Sequence, residues 1–214
     1  MLIDLADFVS PDLQPAFVKT LVALAERGNS DIWVRLDRAR WLRRLTETLQ
    51  TDEPEARLAA MTALGLMGDP SGARAILDMY AGLEQPSDDV ADLAVQALVG
   101  VGNARELIAA IERGDDPVAK VAIRALGVMR AGEAVSVLTQ VRRASADWDR
   151  RRLAVIPLGL IGTDETVEYL IEAIDDETGY VRREAVQVLG DFASEAAVQA
   201  LLARVKSERY QEVR

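Results

Sequence analysis

Five times in this chain of 214 residues, a small residue is followed four positions later by Leu, usually with Gly next. The copies start at Ala60, Ala94, Ala122, Ala154 and Ala185, and their leucines are Leu64, Leu98, Leu126, Leu158 and Leu189. Successive copies are 34, 28, 32 and 31 residues apart. A period of this length marks stacked helix pairs. One such pair cannot bury its own apolar face, so the unit is stable only against neighbours of its own kind.

Each period reads as two helices. Asp52-Glu53-Pro54, Ser87-Asp88-Asp89, Asp115-Asp116-Pro117, Asp147-Trp148-Asp149 and Asp176-Glu177-Thr178 precede the first helices. Their oxygens suit the unpaired N–H groups and the positive dipole end of a first turn. Short turns follow at Gly68-Asp69-Pro70, Gly102-Asn103, Ala131-Gly132, Gly162-Thr163-Asp164 and Asp191–Ser194. The second helices carry apolar residues at three- and four-residue steps, as in Val167, Leu170, Ile171 and Ile174, or Val198, Leu201, Leu202 and Val205. A recurring helical Gly, costing about 1 kcal/mol against Ala, implies close packing at that register. Pro157 lies inside a first helix and implies a kink, because the register continues through it.

The domain reading is a capping helix pair over 1–50, five repeats over 51–207, and the start of a further repeat at 208–214. The capping helices are expected at 12–27 and 31–50, with Asp12 and Asp31 as caps and Trp33 and Trp41 sealing the open end of the core. Val213 repeats the register of Val181, so the array starts another first helix, as expected either of a piece of a longer array or of an open end covered by another chain. The fold class is all-α: a right-handed α-α superhelix of about six helix pairs.

Composition removes much chemistry. The chain has no Cys and no His, so thiol nucleophiles, His bases and the usual zinc ligand sets are excluded. It carries 35 acidic and 25 basic side chains, a formal charge of -10, which repels phosphate and argues against nucleic acid. No signal peptide, apolar span or phosphate-binding Gly loop is present in the sequence, and the expected location is the cytoplasm. Two stretches are locally basic: Arg35, Arg38, Arg40, Arg43 and Arg44 near the N-terminus, and Arg142, Arg143, Arg150, Arg151 and Arg152 around Trp148.

The fifth copy, Val181-Arg182-Arg183-Glu184-Ala185-Val186-Gln187-Val188-Leu189-Gly190, resembles HEAT repeats, in particular the short bacterial phycobilisome lyase-like type. Arg57, Arg151 and Arg182 keep that type's Arg register. Ala91 and Ala119 depart from it, so any Asp–Arg ladder should be interrupted midway. The resemblance implies a HEAT solenoid whose second helices line a concave binding face. The candidate contacts there are Arg74, Asp78, Arg105, Glu106, Glu112, Ser136, Gln140, Glu168, Glu172 and Gln199, mixed in charge early and acidic near the fourth unit. The two Arg-rich stretches and Trp148 are secondary contacts. The expected function is a non-enzymatic scaffold or adaptor for a protein or peptide, with no cofactor and no metal. The resemblance also implies an alternative, an accessory subunit handling bilin chromophores. The iron-dependent hydroxylase branch of the family, which uses His-Glu motifs, is excluded by the missing His.

Overall fold

The computed structural model describes residues 14–27, 37–114, 116–192 and 194–207. These form α-helices joined by short turns, with no strand among the described residues. By compactness the chain divides into two units, Met1–Ala125 and Leu126–Arg214. Asp12, Asp31, Trp33, Arg35 and the expected start of a further repeat at 208–214 lie outside the described residues.

In the first unit, α1 spans Gln14–Glu26, α2 Arg38–Thr48, α3 Pro54–Met67, α4 Gly72–Ala81, α5 Asp88–Val101 and α6 Ala104–Arg113. Helix α7, Asp116–Val128, contributes its residues up to Ala125 to this unit. The first helices stack in one layer, α1 on α3 and α3 on α5, and the second helices in another, α2 on α4 and α4 on α6. The repeat motif lies between the layers: Ala60, Leu64, Ala94 and Leu98 are buried. Trp41 is buried at the head of this core and stacks on Phe17 at 5.7 Å between ring centroids.

In the second unit, α8 spans Val135–Ala144 after a 3₁₀ turn, α9 Trp148–Ile161, α10 Asp164–Ala173, α11 Gly179–Gly190 and α12 Glu195–Ser207. Again α9 stacks on α11, while α8 packs on α10 and α10 on α12. The core repeats itself with Ala154, Leu158, Ala185 and Leu189. Helix α9 runs unbroken through the buried Pro157.

The recurring Gly has the packing role its register implies. A Cβ on Gly65 would lie 2.7 Å from the Ala97 Cα, and one on Gly127 would lie 2.9 Å from the Pro157 Cα. One on Gly159 would strike Val188. Only a residue without a Cβ lets those backbones approach so closely.

The caps follow the sequence in part. Ser87 Oγ accepts from Val90 N at 3.4 Å, and Asp147 Oδ1 from Asp149 N at 2.9 Å. Glu53 and Thr178 sit at the cap positions of α3 and α11 but make no side-chain cap bond. At α11, Asp176 instead accepts from Thr178 N at 2.8 Å, because its carboxylate serves a buried arginine. Asn103 and Thr163, read from sequence only as turn residues, cap α6 and α10. Helices α3, α5 and α9 end on left-handed glycines, whereas the turn after α7 puts a non-glycine, Arg130, at φ 50°. That conformation strains an L-residue by about 1 kcal/mol.

Candidate partner-binding surfaces

In the first unit, α4 and α6 carry a charged network. Their second-helix stripes bury Ile76, Leu77, Leu107 and Ile111, which turns Arg74, Asp78 and Arg105 outward. Arg74 Nε donates to both Asp78 oxygens at 2.8 and 2.9 Å, one helical turn away. Its Nη1 reaches Glu106 Oε1 on α6 at 3.5 Å. Arg113 Nη1 donates to the same oxygen at 3.2 Å. Asn103 anchors this corner: its carbonyl oxygen caps Glu106 N at 3.2 Å, and its Nδ2 donates to Pro70 O at 3.0 Å. Exposed pairs of this kind contribute about 0–1 kcal/mol each, so they exchange readily for contacts with another molecule. Arg105 and Glu112 are exposed on the same helix.

The N-terminal basic stretch is only partly a displayed patch. Arg43 is exposed, and Arg38 reaches Asp69 at 3.5 Å. Arg44 lies over the Trp41 ring, 5.3 Å from its centroid, which spends its charge on a cation–π contact.

In the second unit, α8 and α10 meet through Glu172. Arg143 grips it with two bonds, Nη2 to Oε1 at 2.7 Å and Nε to Oε2 at 3.0 Å. Arg142 Nη2 adds a third at 2.6 Å. The Arg143 hydrogen bonds, chiefly, hold the Glu172 carboxyl below its ordinary pKa. The Arg143 guanidinium also lies 4.9 Å from the Tyr169 ring centroid. The face expected to be acidic here is therefore locally neutralised: two arginines surround the carboxylate. Glu168, one turn before Glu172, is exposed, as are Ser136, Gln140 and Gln199. Gln199 Nε2 donates to Glu195 at 3.0 Å.

The Arg-rich edge around Trp148 needs correction as a solvent-facing patch. Arg142 and Arg151 are buried, at 7% and 6% exposure. Arg151 forms a loop knot. Its Nε and Nη2 bond Asp176 at 2.9 and 3.1 Å, and its Nη1 donates to Ser145 O at 2.9 Å. Nη2 also donates to Glu177 at 2.9 Å. An arginine carried into the interior requires this many acceptors to offset its desolvation. Arg182, one repeat later, likewise donates to the loop carbonyls of Asp176 and Glu177 at 2.8 and 3.1 Å. Arg143 remains exposed, Arg150 is half-buried, and Arg152 bonds Asp149 and Glu184 at 3.0 and 3.1 Å. Trp148 is half-exposed and stacks on Tyr180 at 5.1 Å. Beside the knot lies a cleft of about 390 Å³ lined by Arg142, Arg143, Arg151 and Asp176 among others.

The structure thus joins Arg74, Asp78 and Glu106 in one unit, and Arg142, Arg143 and Glu172 in the other. Arg113 and Asn103 belong to the first network and were not singled out from sequence. Arg113 lies seven residues from Glu106, on the same helix face, and that spacing was the available signal. Asp176 was read as a cap, and its burial beneath Arg151 depends on a contact across 25 residues that helical periodicity does not encode. Among the described residues, no acidic cluster is arranged to hold a metal ion, and no helix is long and apolar enough to cross a membrane.

Residues 135–214 match the family described as HEAT repeats. No curated protein sequence matches the chain. Among solved structures it is similar to an engineered protein, with 19% identity over 99% of this chain and 64% of that one, at a TM-score of 0.47. It thus spans less than two thirds of that protein's length. It is also similar to human deoxyhypusine hydroxylase, with 22% identity over 99% and 84% of the two chains and a TM-score of 0.45. A third neighbour is the complex of CpcE and CpcF of phycocyanin lyase from Nostoc, at 20% identity over 90% and 82%, with a TM-score of 0.40. The chain is thus an all-α protein of stacked helix pairs whose residues 135–214 match HEAT repeats.

Proposed function

We propose that this protein is a non-enzymatic interaction scaffold that binds a partner protein or peptide along the faces of its second helices. The observation that carries this reading is the pair of ion networks, Arg74–Asp78–Glu106–Arg113 on α4 and α6 and Arg142–Arg143–Glu172 on α8 and α10. Each holds charges of both signs on adjacent second helices, exposed or half-exposed except for the buried Arg142. Side chains already ordered in this way lose little entropy when they exchange an internal pair for a partner's charge. The mixed signs favour a polypeptide carrying both charges over a polyphosphate. The chain's formal charge of -10 points the same way.

The test is quantitative capture of a partner from the source cell, comparing the native chain with the double charge reversal Arg74→Glu, Arg143→Glu. The native chain should retain a polypeptide that the variant releases at moderate salt. Equal retention by both, or retention of nucleic acid in place of protein, contradicts the proposal.

A further inference from the structure

The cleft of about 390 Å³ between the end of α8, α9 and the loop before α11 has five charged side chains in its lining: Arg142, Arg143, Arg151, Asp176 and Glu177. A guanidinium grips a carboxylate best through its Nε–Nη2 edge, whose two N–H groups match the two oxygens. Arg143 and Arg151 use both donors of that edge, the first on Glu172 and the second on Asp176. Arg142 differs. Its Nη2 bonds Glu172 at 2.6 Å, but its Nε is buried and has no hydrogen-bond partner among the described residues. The side chain is only 8% exposed, so bulk water does not serve that donor. A buried N–H without an acceptor is costly, and in an arginine that lines a cleft it points to an oxygen brought by a ligand.

The charges indicate which ligand. Glu172, Asp176 and Glu177 balance the three arginines, so an incoming anion replaces an internal carboxylate instead of adding to the set. Glu177 is the one placed to leave. Arg151 Nη2 alone holds its carboxylate, at 2.9 Å, and the side chain is 82% exposed. Glu172 accepts three bonds from arginine, and Asp176 is held by two more and is itself buried. A monoanion in the place of Glu177 keeps the balance. A phosphate group, carrying about −1.5 to −2 charges at neutral pH, does not.

We infer that this cleft binds a single carboxylate of a peptide, which displaces Glu177 from Arg151 and supplies the acceptor for Arg142 Nε. Glu177 is thus a built-in competitor for the site. The inference rests on the scaffold reading for the ligand's being a polypeptide, and it names the group that the second unit recognises.

The test follows the arginine Nε–H resonances of the isotope-labelled full chain by NMR as three blocked peptides are added. One is glycine-serine-glycine with a free terminal carboxylate, the second is the same peptide amidated, and the third is an amidated glycine-glutamate-glycine. The first and third separate a terminal carboxylate from a side-chain one. The expected result is a saturable shift of the Arg142 Nε–H with at least one carboxylate-bearing peptide and none with the neutral amide. Glu177→Gln, a change at an exposed side chain, should tighten binding about two- to fivefold. Arg142→Lys keeps a positive charge beside Glu172 but lacks the Nε edge, and should weaken binding about tenfold or more. The inference is overturned by no saturable shift at about 10 mM peptide, by an equal response to the neutral amide, by tighter binding of inorganic phosphate, or by Glu177→Gln leaving affinity unchanged. A chain that captures a partner but shows no shift overturns the carboxylate site and leaves the scaffold reading standing. Carboxylate binding by a chain that captures no polypeptide upholds the site and removes the scaffold reading.

Discussion

The contacts α3–α5 and α9–α11 come from the same repeat, yet different interactions hold them. Between α3 and α5 the backbones themselves meet: Gly65 lies against Ala97, and Gly100 against the Gly65 carbonyl. The Arg register there is held by Arg57, which is half-buried and makes no side-chain bond among the described residues. Between α9 and α11, Gly159 admits a Val188 side chain, and the buried Arg151–Asp176 knot ties the loops. A repeat of one period therefore tolerates exchange between close packing and buried charge. Where Ala91 and Ala119 occupy the Arg register, no such knot is possible.

The largest expected effect breaks the knot. Arg151→Ala leaves Asp176 buried without its counter-charge and should cost about 3–5 kcal/mol in urea unfolding. Arg57→Ala should change stability by less than about 0.5 kcal/mol. Equal losses would show that the two contacts do not differ as described. Next is Gly65→Ala, which places a methyl group against the Ala97 backbone and should cost about 1–3 kcal/mol. Gly190→Ala should stabilise by about 0.5 kcal/mol, since its Cβ meets open space. A loss at both glycines would mean that helix geometry, not the close approach, requires Gly. Trp148→Ala removes the stack on Tyr180 and should cost about 1 kcal/mol, read by thermal unfolding.

The smallest effect concerns acid. The Arg143 hydrogen bonds hold Glu172 below its ordinary pKa. Its contribution is therefore complete above the unfolded carboxyl's pKa and is lost as pH falls through the lower folded value. The stability gap between the native chain and Glu172→Gln should close on acidification. A gap that widens would reverse the sign and contradict the assignment. Glu172 is partly exposed, so the gap is small and should shrink with salt.

Period and small-residue register carried the helix pairs, the stacking order and the Gly contacts, because each depends on spacing along one helix. The same reasoning expected Arg74, Asp78 and Glu106 at polar positions of the second helices; Arg74 and Asp78 are exposed and Glu106 is half-buried. It failed where two helices decide together. Arg142 and Arg151 look like surface charge in a basic run, and only the neighbouring Glu172 and Asp176 carry them inward. Arg44 looked like a displayed cation until Trp41 came beneath it. Long side chains take their environment from a partner that a single-helix pattern does not contain.

The central claim is that partners are read by the second helices. Hydrogen–deuterium exchange of the native chain with and without its captured partner tests this directly. The account predicts new protection concentrated in α4, α6, α8 and α10, with α3, α5 and α9 unchanged. Protection confined to the first helices would contradict it.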